Sequence, residues 1–450
     1  MRDFLLFAVL AILVPIVPRR PFIGALAWVV FGVMYPHRLT WGPAYNFPFS
    51  GAIALLTLVG VVLTREHRRP KGGAAAVVLC LFLAWSAVTT FFAFYPAEAL
   101  DYLDRVAKIF LMTFVLMLLI STREQVEALL WCLVVALGFY GTKGGLFTLF
   151  TGGNFMVMGP PDSPMEGNNS LGVGTVIIIP LMYYLFQAAT SRLVRVGLMI
   201  AMPLCAVSVL GSYSRGALLA ILAMGLLLWL RARRKLIVAA ALVAFAAIAF
   251  PFMPETWTDR MNTIETYQDD LSAMQRIWAW ETAYRIAKDR FPVGGGFEFQ
   301  SAETAAKYSP NPEYFHVAHS IYFQVLGGLG FIGLAIFLAF WWLVWRQAER
   351  LRTNSRSPAD VQWAASFASM AQASLMGYFV GGAFLDIAFW DLPYYLYAAI
   401  IGARYAVTHT QGGLAGSPLE APLDDIDGRV DVHRPTESLE NPATSGTKAA

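Results

Sequence analysis

Charge is scarce in this chain. Asp, Glu, Lys and Arg make up 14% of its 450 residues, against about 25% in soluble domains. A surface so poor in charge excludes an ordinary water-soluble globule of this length. Cysteine is nearly missing as well. Cys80, Cys132 and Cys205 are the whole complement; each lies in an apolar run and none has metal-ligand spacing. They read as small buried hydrophobes, with no disulfide framework. The phosphate-binding loop, the dinucleotide fingerprint and the nucleophile elbow are lacking too, and Gly294-Gly295-Gly296 has no strand–turn–helix around it. No nucleic-acid signature is present, so no nucleic-acid partner is expected.

What fills the chain is apolar: 57% hydrophobic residues and a mean hydropathy of +0.55. Backbone groups in lipid must pair within their own segment, so this excess implies an all-α, polytopic membrane protein. Runs near the length needed to cross a bilayer lie at 4–17, 22–35, 49–64, 74–95, 109–120, 126–140, 171–186, 196–210, 217–230, 236–252, 321–345, 361–384 and 392–407, which predicts about 12–13 transmembrane helices. The first run is followed by Pro18-Arg19-Arg20-Pro21 with no small-residue cleavage site, so it reads as a span and not as a secretory leader.

The arginine-rich short loops (19–20, 65–71, 192–195, 231–235 and 346–356) fall on one side under strict alternation, and that side is cytoplasmic by the positive-inside rule. The organisation expected is membrane helices over 1–252, an outer loop over 253–320, further membrane helices over 321–407, and a disordered cytoplasmic tail over 408–450. The outer loop is 68 residues long, far beyond an ordinary connection, and should hold structure or function. Within it 272–290 has helical spacing, with Ile277, Trp280, Tyr284 and Ala287 on one stripe and Ser272 as N-cap. This helix is expected to lie along the membrane surface.

The unusual residues gather on the outer face. Arg215 starts a span within Gly-Ser-Tyr-Ser-Arg-Gly. A lipid-facing arginine is costly, so Arg215 either snorkels to the interface or meets an anion, for which its fork of donors suits a phosphate. Arg276 and Arg285 lie on the loop helix, Arg276 one turn from Trp280; they bind either an anionic group or solvent. Arg105 and Lys108, three apart, repel unless an anion or Asp101 and Asp104 neutralise them. Asn169, beside Asn168, either bonds a sugar or caps a helix. His316 and His319 sit where polar sequence meets the run beginning Ile321-Tyr322. A two-histidine metal site is disfavoured for want of a third ligand of clear spacing, whereas a single histidine suits general-base work. Asp386 and Asp391 border the last outer turn, and either could orient that histidine.

Cations and a histidine beside a large hydrophobic body suit a substrate that is part phosphate, part sugar and part lipid. The text that carries a family resemblance is Ser214-Arg215-Gly216, then Arg276-Ile277-Trp278, then Pro292-Val-Gly-Gly-Gly, then His319-Ser-Ile-Tyr-Phe-Gln-Val-Leu-Gly-Gly-Leu-Gly-Phe-Ile-Gly-Leu. With these the chain resembles the O-antigen ligase/polymerase superfamily (WaaL/Wzy/PglL-like membrane glycosyltransferases). Its wording is closest to the exosortase-associated O-glycosylation ligase branch. The family often shows His-Asn where this chain has His319-Ser320.

The resemblance implies a GT-C-type membrane fold in the bacterial inner membrane, with its active site facing the periplasm. It implies transfer of a glycan from undecaprenyl diphosphate to an acceptor, be it lipid A-core, a protein or another glycan. His319 would be the base and Arg215 and Arg276 would stabilise the diphosphate. Arg105, Lys108, Asn169, Trp280, Arg285, His316, Tyr322 and Asp386 complete the expected substrate site, and no cofactor or metal is required. Two alternatives stand: a polysaccharide polymerase of the same superfamily, and a transporter or flippase of lipid-linked sugar. A transporter would show repeats and broken helices with charge near the midplane; here charge collects at one face.

Overall fold

The computed structural model describes residues 1–64, 71–262, 271–313, 316–355 and 361–415. Every regular element among them is helical: α1 (Arg2–Ile16), α2 (Pro21–Met34), α3 (Phe49–Leu63), α4 (Gly73–Phe91), α5 (Pro96–Leu119), α6 (Arg123–Phe150), α7 (Asn168–Ala188), α8 (Arg192–Gly211), α9 (Arg215–Arg231), α10 (Lys235–Phe252), α11 (Glu255–Asn262), α12 (Leu271–Asp289), α13 (Ala302–Tyr308), α14 (Ile321–Asn354), α15 (Gln362–Gly382) and α16 (Asp391–Ala415), with a 3-10 turn at Pro36–Leu39. The body is Met1–Thr410, and Gln411–Ala450 forms a second unit. The expected disordered tail falls mainly in 416–450, outside the described residues.

The protein is a multi-pass membrane protein. Six of these helices, α4, α6, α7, α8, α10 and α14, are long and apolar enough to cross a bilayer. Other apolar helices fall outside this group for identifiable reasons. Helices α2 and α3 are apolar but have 14 and 15 residues, about 21–23 Å at 1.5 Å per residue and short of a hydrocarbon core. Helix α5 merges an expected polar segment with an expected span, and its N-terminal part, up to residue 108, carries Glu98, Asp101, Asp104, Arg105 and Lys108. Helix α10 shows the lipid-facing condition directly. Leu236, Ile237, Val243 and Ile248 are all exposed, a surface tolerable only against hydrocarbon. The same logic corrects the cysteines: Cys205 is buried, Cys132 is half-buried and Cys80 points outward.

The long segment between α10 and α14 is built, among its described residues, around α12. Its bounds match the expected helix, but Ser272 lies inside the first turn, and the buried stripe is rotated. Ala279, Thr282, Ala283, Ile286 and Ala287 are buried, whereas Tyr284 is 47% exposed. The reason is the partner. Helix α12 packs on the start of α14, with Ala283 beside Gly327 and Trp280 stacked on Phe323, and close helix–helix approach selects small residues. The loop helix is thus packed on protein along this stripe.

Two glycine motifs, read separately in the sequence, are halves of one contact. Gly295 N–H donates to Gly327 O and Gly296 N–H to Gly328 O, each at 2.8 Å. A Cβ on Gly294 would come 2.6 Å from the Gly330 nitrogen. Gly330 itself breaks the helical path of α14 at φ 69°, ψ −174°, a conformation open essentially to glycine alone. The carbonyl of Leu329 accepts from Trp85 Nε1 at 2.8 Å, which ties α4 to the break.

Candidate active site

His319 ends the short segment that enters α14. It adopts φ 42°, sparsely populated for a side chain with Cβ. Trp280 holds it there: the indole Nε1–H donates to Ala318 O at 2.7 Å, and the ring stacks on Phe323 with centroids 5.2 Å apart. His319 Nδ1 faces Asp386 Oδ1 at 3.3 Å, the side chains being 27% and 40% exposed. His316 lies alongside, ring centroids 5.2 Å apart.

The turn carrying Asp386 is fastened from three helices. Gln324 Oε1 accepts from Ala388 N–H at 3.0 Å. Tyr394 donates to Ala388 O at 2.8 Å, and Tyr378 reaches the Ile387 and Ala388 carbonyls. Gln324 Nε2 in turn donates to the Tyr102 hydroxyl. Burial works against ionisation of Asp386, but the hydrogen bond and charge of His319 prevail and hold its carboxyl below the usual range. An ionised carboxylate accepts only, so the neutral imidazole carries its proton on Nδ1 and leaves the Nε2 lone pair open. Burial, then the charges of His319 and Arg276, pushes His316 below the ordinary histidine value.

Beside this pair lies a small pocket lined by Asn169, Tyr213, Arg215, Arg260, Arg276 and Phe384 among the described residues. Local sequence explains it. Tyr213 takes φ 56° and donates to Gly153 O at 2.6 Å. Ser214 then caps α9 by accepting from Ala217 N–H at 3.1 Å, which makes Arg215 the first helical residue. A guanidinium at a helix N-terminus adds to the positive end of the dipole, a setting for anions. Asn168 fixes the wall by donating to Ser212 O at 2.6 Å, so of the paired asparagines Asn168 is a tether and Asn169 lines the pocket.

On the other side opens a cleft of about 670 Å³ whose lining includes Tyr35, Tyr102, Arg105, Lys108, Glu298, Asp386 and Asp391. Lys108 pairs with Asp104, the internal neutralisation anticipated as one option. The non-glycine residues with positive φ among those described are Tyr35, Asp162, Tyr213, Glu298 and His319. Four line one of these two cavities and the fifth is His319 itself, so sparsely populated backbone concentrates at this place, as it does at functional sites.

Residues 200–338 match the O-antigen ligase family model. The chain carries an O-antigen ligase domain over that segment, which supports the O-antigen ligase/polymerase superfamily. Residues 1–190 match a family of unknown function, DUF5935. No curated protein matches the chain. The ligase domain contains Arg215, Arg260, Arg276, His316 and His319. Arg105 comes from the segment before it, and Asp386 from the segment after it.

Some expected residues do not converge on the ligase-domain histidine. Arg285 is engaged by Glu281 and by the Tyr308 carbonyl at 3.3 Å. The Tyr322 hydroxyl donates to Phe379 O at 3.2 Å, and Trp280 acts on the Ala318–His319 backbone. Asp391, the other carboxylate considered for the histidine, accepts from Tyr395 at 3.3 Å instead. Sequence reasoning missed Arg260, Glu298 and Gln324. Arg260 was detectable as one more arginine in the outer loop; Gln324 and Glu298 gain their meaning only from contacts across the fold. Among the described residues no group of three or more His, Cys, Asp or Glu is placed to hold a metal ion.

Proposed function

We propose that this O-antigen ligase-type membrane glycosyltransferase moves a glycan from undecaprenyl diphosphate to an acceptor hydroxyl on the periplasmic face of the inner membrane, with His319 as general base. The observation that supports the reading is the His319–Asp386 pair set beside an arginine-lined pocket and an open cleft.

The acceptor hydroxyl loses its proton to His319 Nε2 as its oxygen attacks the anomeric carbon. The bond between that carbon and the diphosphate oxygen breaks, and undecaprenyl diphosphate leaves with the bonding pair. Arg215 and Arg276, joined by Arg260, hold the diphosphate and stabilise the negative charge that grows on it. Asp386 keeps the imidazole in the required tautomer and stabilises the imidazolium that forms. The diphosphate is already the leaving group, so the step drawn here needs neither nucleotide nor divalent ion. General-base catalysis contributes about 10²–10⁴-fold. The test is transfer by purified, reconstituted protein from a defined undecaprenyl-diphosphate glycan. His319→Ala should lose activity on that scale while still binding the donor, and undiminished transfer would remove the base from the scheme. Dependence on an added divalent ion after EDTA treatment would contradict the proposed step.

A further inference from the structure

Asp386 and Asp391, five residues apart, border the same cleft of about 670 Å³. Asp386 is engaged by His319. Asp391 has no part in the glycosyl transfer step itself, yet several elements are arranged around its carboxyl. Trp28 of α2 is buried, and its indole Nε1–H donates to the Tyr395 hydroxyl at 2.5 Å. That hydroxyl is left to donate its own proton to Asp391 Oδ2 at 3.3 Å. One turn further along α2 stands Gly32, which lines the cleft together with Asp391. A Cβ at Gly32 would come 3.3 Å from Asp391 Oδ2, so a side chain there would press on the carboxyl. The cleft is also furnished with hydroxyls: Tyr35, Ser50, Tyr102, Ser163 and Ser170 line it, and each is half-buried. The loop bearing Ser163 is held through its neighbour Asp162, which accepts from Tyr45 and lies 3.8 Å from Arg38. Most of the lining described for the cleft falls within residues 1–190, the stretch that matches a family of unknown function.

We propose that Asp391 accepts a hydrogen bond from one hydroxyl of a saccharide acceptor and thereby selects which other hydroxyl meets His319, with Trp28 and Gly32 of α2 as its positioning residues; this rests on the reading of His319 as the base. A carboxyl withdrawn from water is costly unless its oxygens are hydrogen-bonded. Tyr395 supplies one donor, and the carboxyl oxygens have further lone pairs for a ligand. The cleft thus offers two stations for hydroxyls, the His319–Asp386 pair and Asp391. A saccharide carries enough hydroxyls to fill both. A serine or threonine side chain has a single hydroxyl, which the base would occupy. A site that hydrogen-bonds a substrate hydroxyl discriminates strongly against the analogue lacking it, because the polar group of the protein is then left unpaired. The segment before the ligase domain acquires a role in this way: its helix α2 holds and uncovers the carboxyl that reads the acceptor.

The experiment uses the full chain in detergent, a defined undecaprenyl-diphosphate glycan as donor, and a panel of neutral disaccharides with their single-deoxy analogues as acceptors. Kinetics give KM and kcat, and nuclear magnetic resonance gives the linkage of the product. With the best disaccharide, removing one hydroxyl other than the glycosylated one should raise the acceptor KM roughly 10–100-fold. Asp391→Ala should raise the acceptor KM by a similar factor, lose the discrimination against that one analogue and spread the product over more than one linkage. The donor KM should stay unchanged. Gly32→Ala leaves the carboxyl in place and should shift the acceptor KM and linkage in the same direction by less, so the test does not hang on the folding of one variant. An unchanged acceptor KM and linkage in both variants would overturn the proposal. Equal losses for the parent disaccharide and every deoxy analogue would reduce Asp391 to a structural role and overturn it too. So would transfer to a serine-containing peptide with none to any disaccharide. Undiminished transfer by His319→Ala, with the Asp391→Ala effects intact, would count against the base assignment alone, which keeps the two failures apart.

Discussion

Replacing Asp386 probes how the histidine is held. His319 Nδ1 and Asp386 Oδ1 are 3.3 Å apart and the side chains are 27% and 40% exposed. Unit charges about 4 Å apart interact by about 1 kcal/mol in water and about 4 kcal/mol at an effective dielectric constant near 20. The exposure of both groups favours the screened end of that range. A stabilisation of about 1–2 kcal/mol for the imidazolium in the transition state follows, or roughly 5–30-fold in kcat. Asp386→Ala should therefore lose about that much. Asp386→Asn should lose more than Asp386→Ala, although it is the more conservative change. The amide NH₂ can donate to Nδ1, which stabilises the tautomer protonated at Nε2 and removes the lone pair that would take the acceptor proton. The assay is single-turnover transfer with saturating donor and acceptor, and circular dichroism checks that both variants fold. An asparagine variant as active as wild type, or clearly better than the alanine variant, would refute the orientation argument.

Three further outcomes are expected. Arg215→Gln and Arg276→Gln should each lower kcat by about 10–100-fold, with lysine restoring part of the loss because charge returns without the fork; Michaelis kinetics on the lipid-linked donor check this. Gly330→Ala places a Cβ against the Pro292 carbonyl at φ 69°, where conformation alone costs about 1–3 kcal/mol, so it should lower the thermal unfolding temperature clearly and abolish transfer through loss of the loop contact. His316 lies below the ordinary value of 6.5, chiefly through burial. Above pH 6.5 both folded and unfolded chains hold the ring neutral. Below it the unfolded chain takes the proton first, so stability falls as pH drops. His316→Gln should flatten the unfolding temperature between about pH 7 and 5.

The parts of this site that are local in sequence are legible there. Helix α12 falls where its spacing places it, Arg215 opens a helix as the Ser-Arg-Gly text suggests, and His319 stands at the boundary of α14. What escapes is whatever depends on distance along the chain. His319 and Asp386 are 67 positions apart, and nothing in either neighbourhood chooses Asp386 over Asp391; the fastening of the turn by Gln324, Tyr378 and Tyr394 makes that choice. The protein-facing side of α12 is not marked by its large apolar residues, because a glycine-rich partner rewards alanine there. Fewer helices than apolar runs are long and apolar enough to cross a bilayer by themselves, because α2 and α3 are short and α5 joins its apolar run to charged residues. The cleft is the least legible feature, since its walls come from six separate stretches of the chain.

The central claim is that His319 removes the acceptor proton. Single-turnover transfer by His319→Ala, with donor binding shown intact by equilibrium titration, tests it most directly. The account predicts a loss of about 10²–10⁴-fold at unchanged donor affinity. Transfer at the wild-type rate, or a loss explained wholly by weaker donor binding, would contradict it.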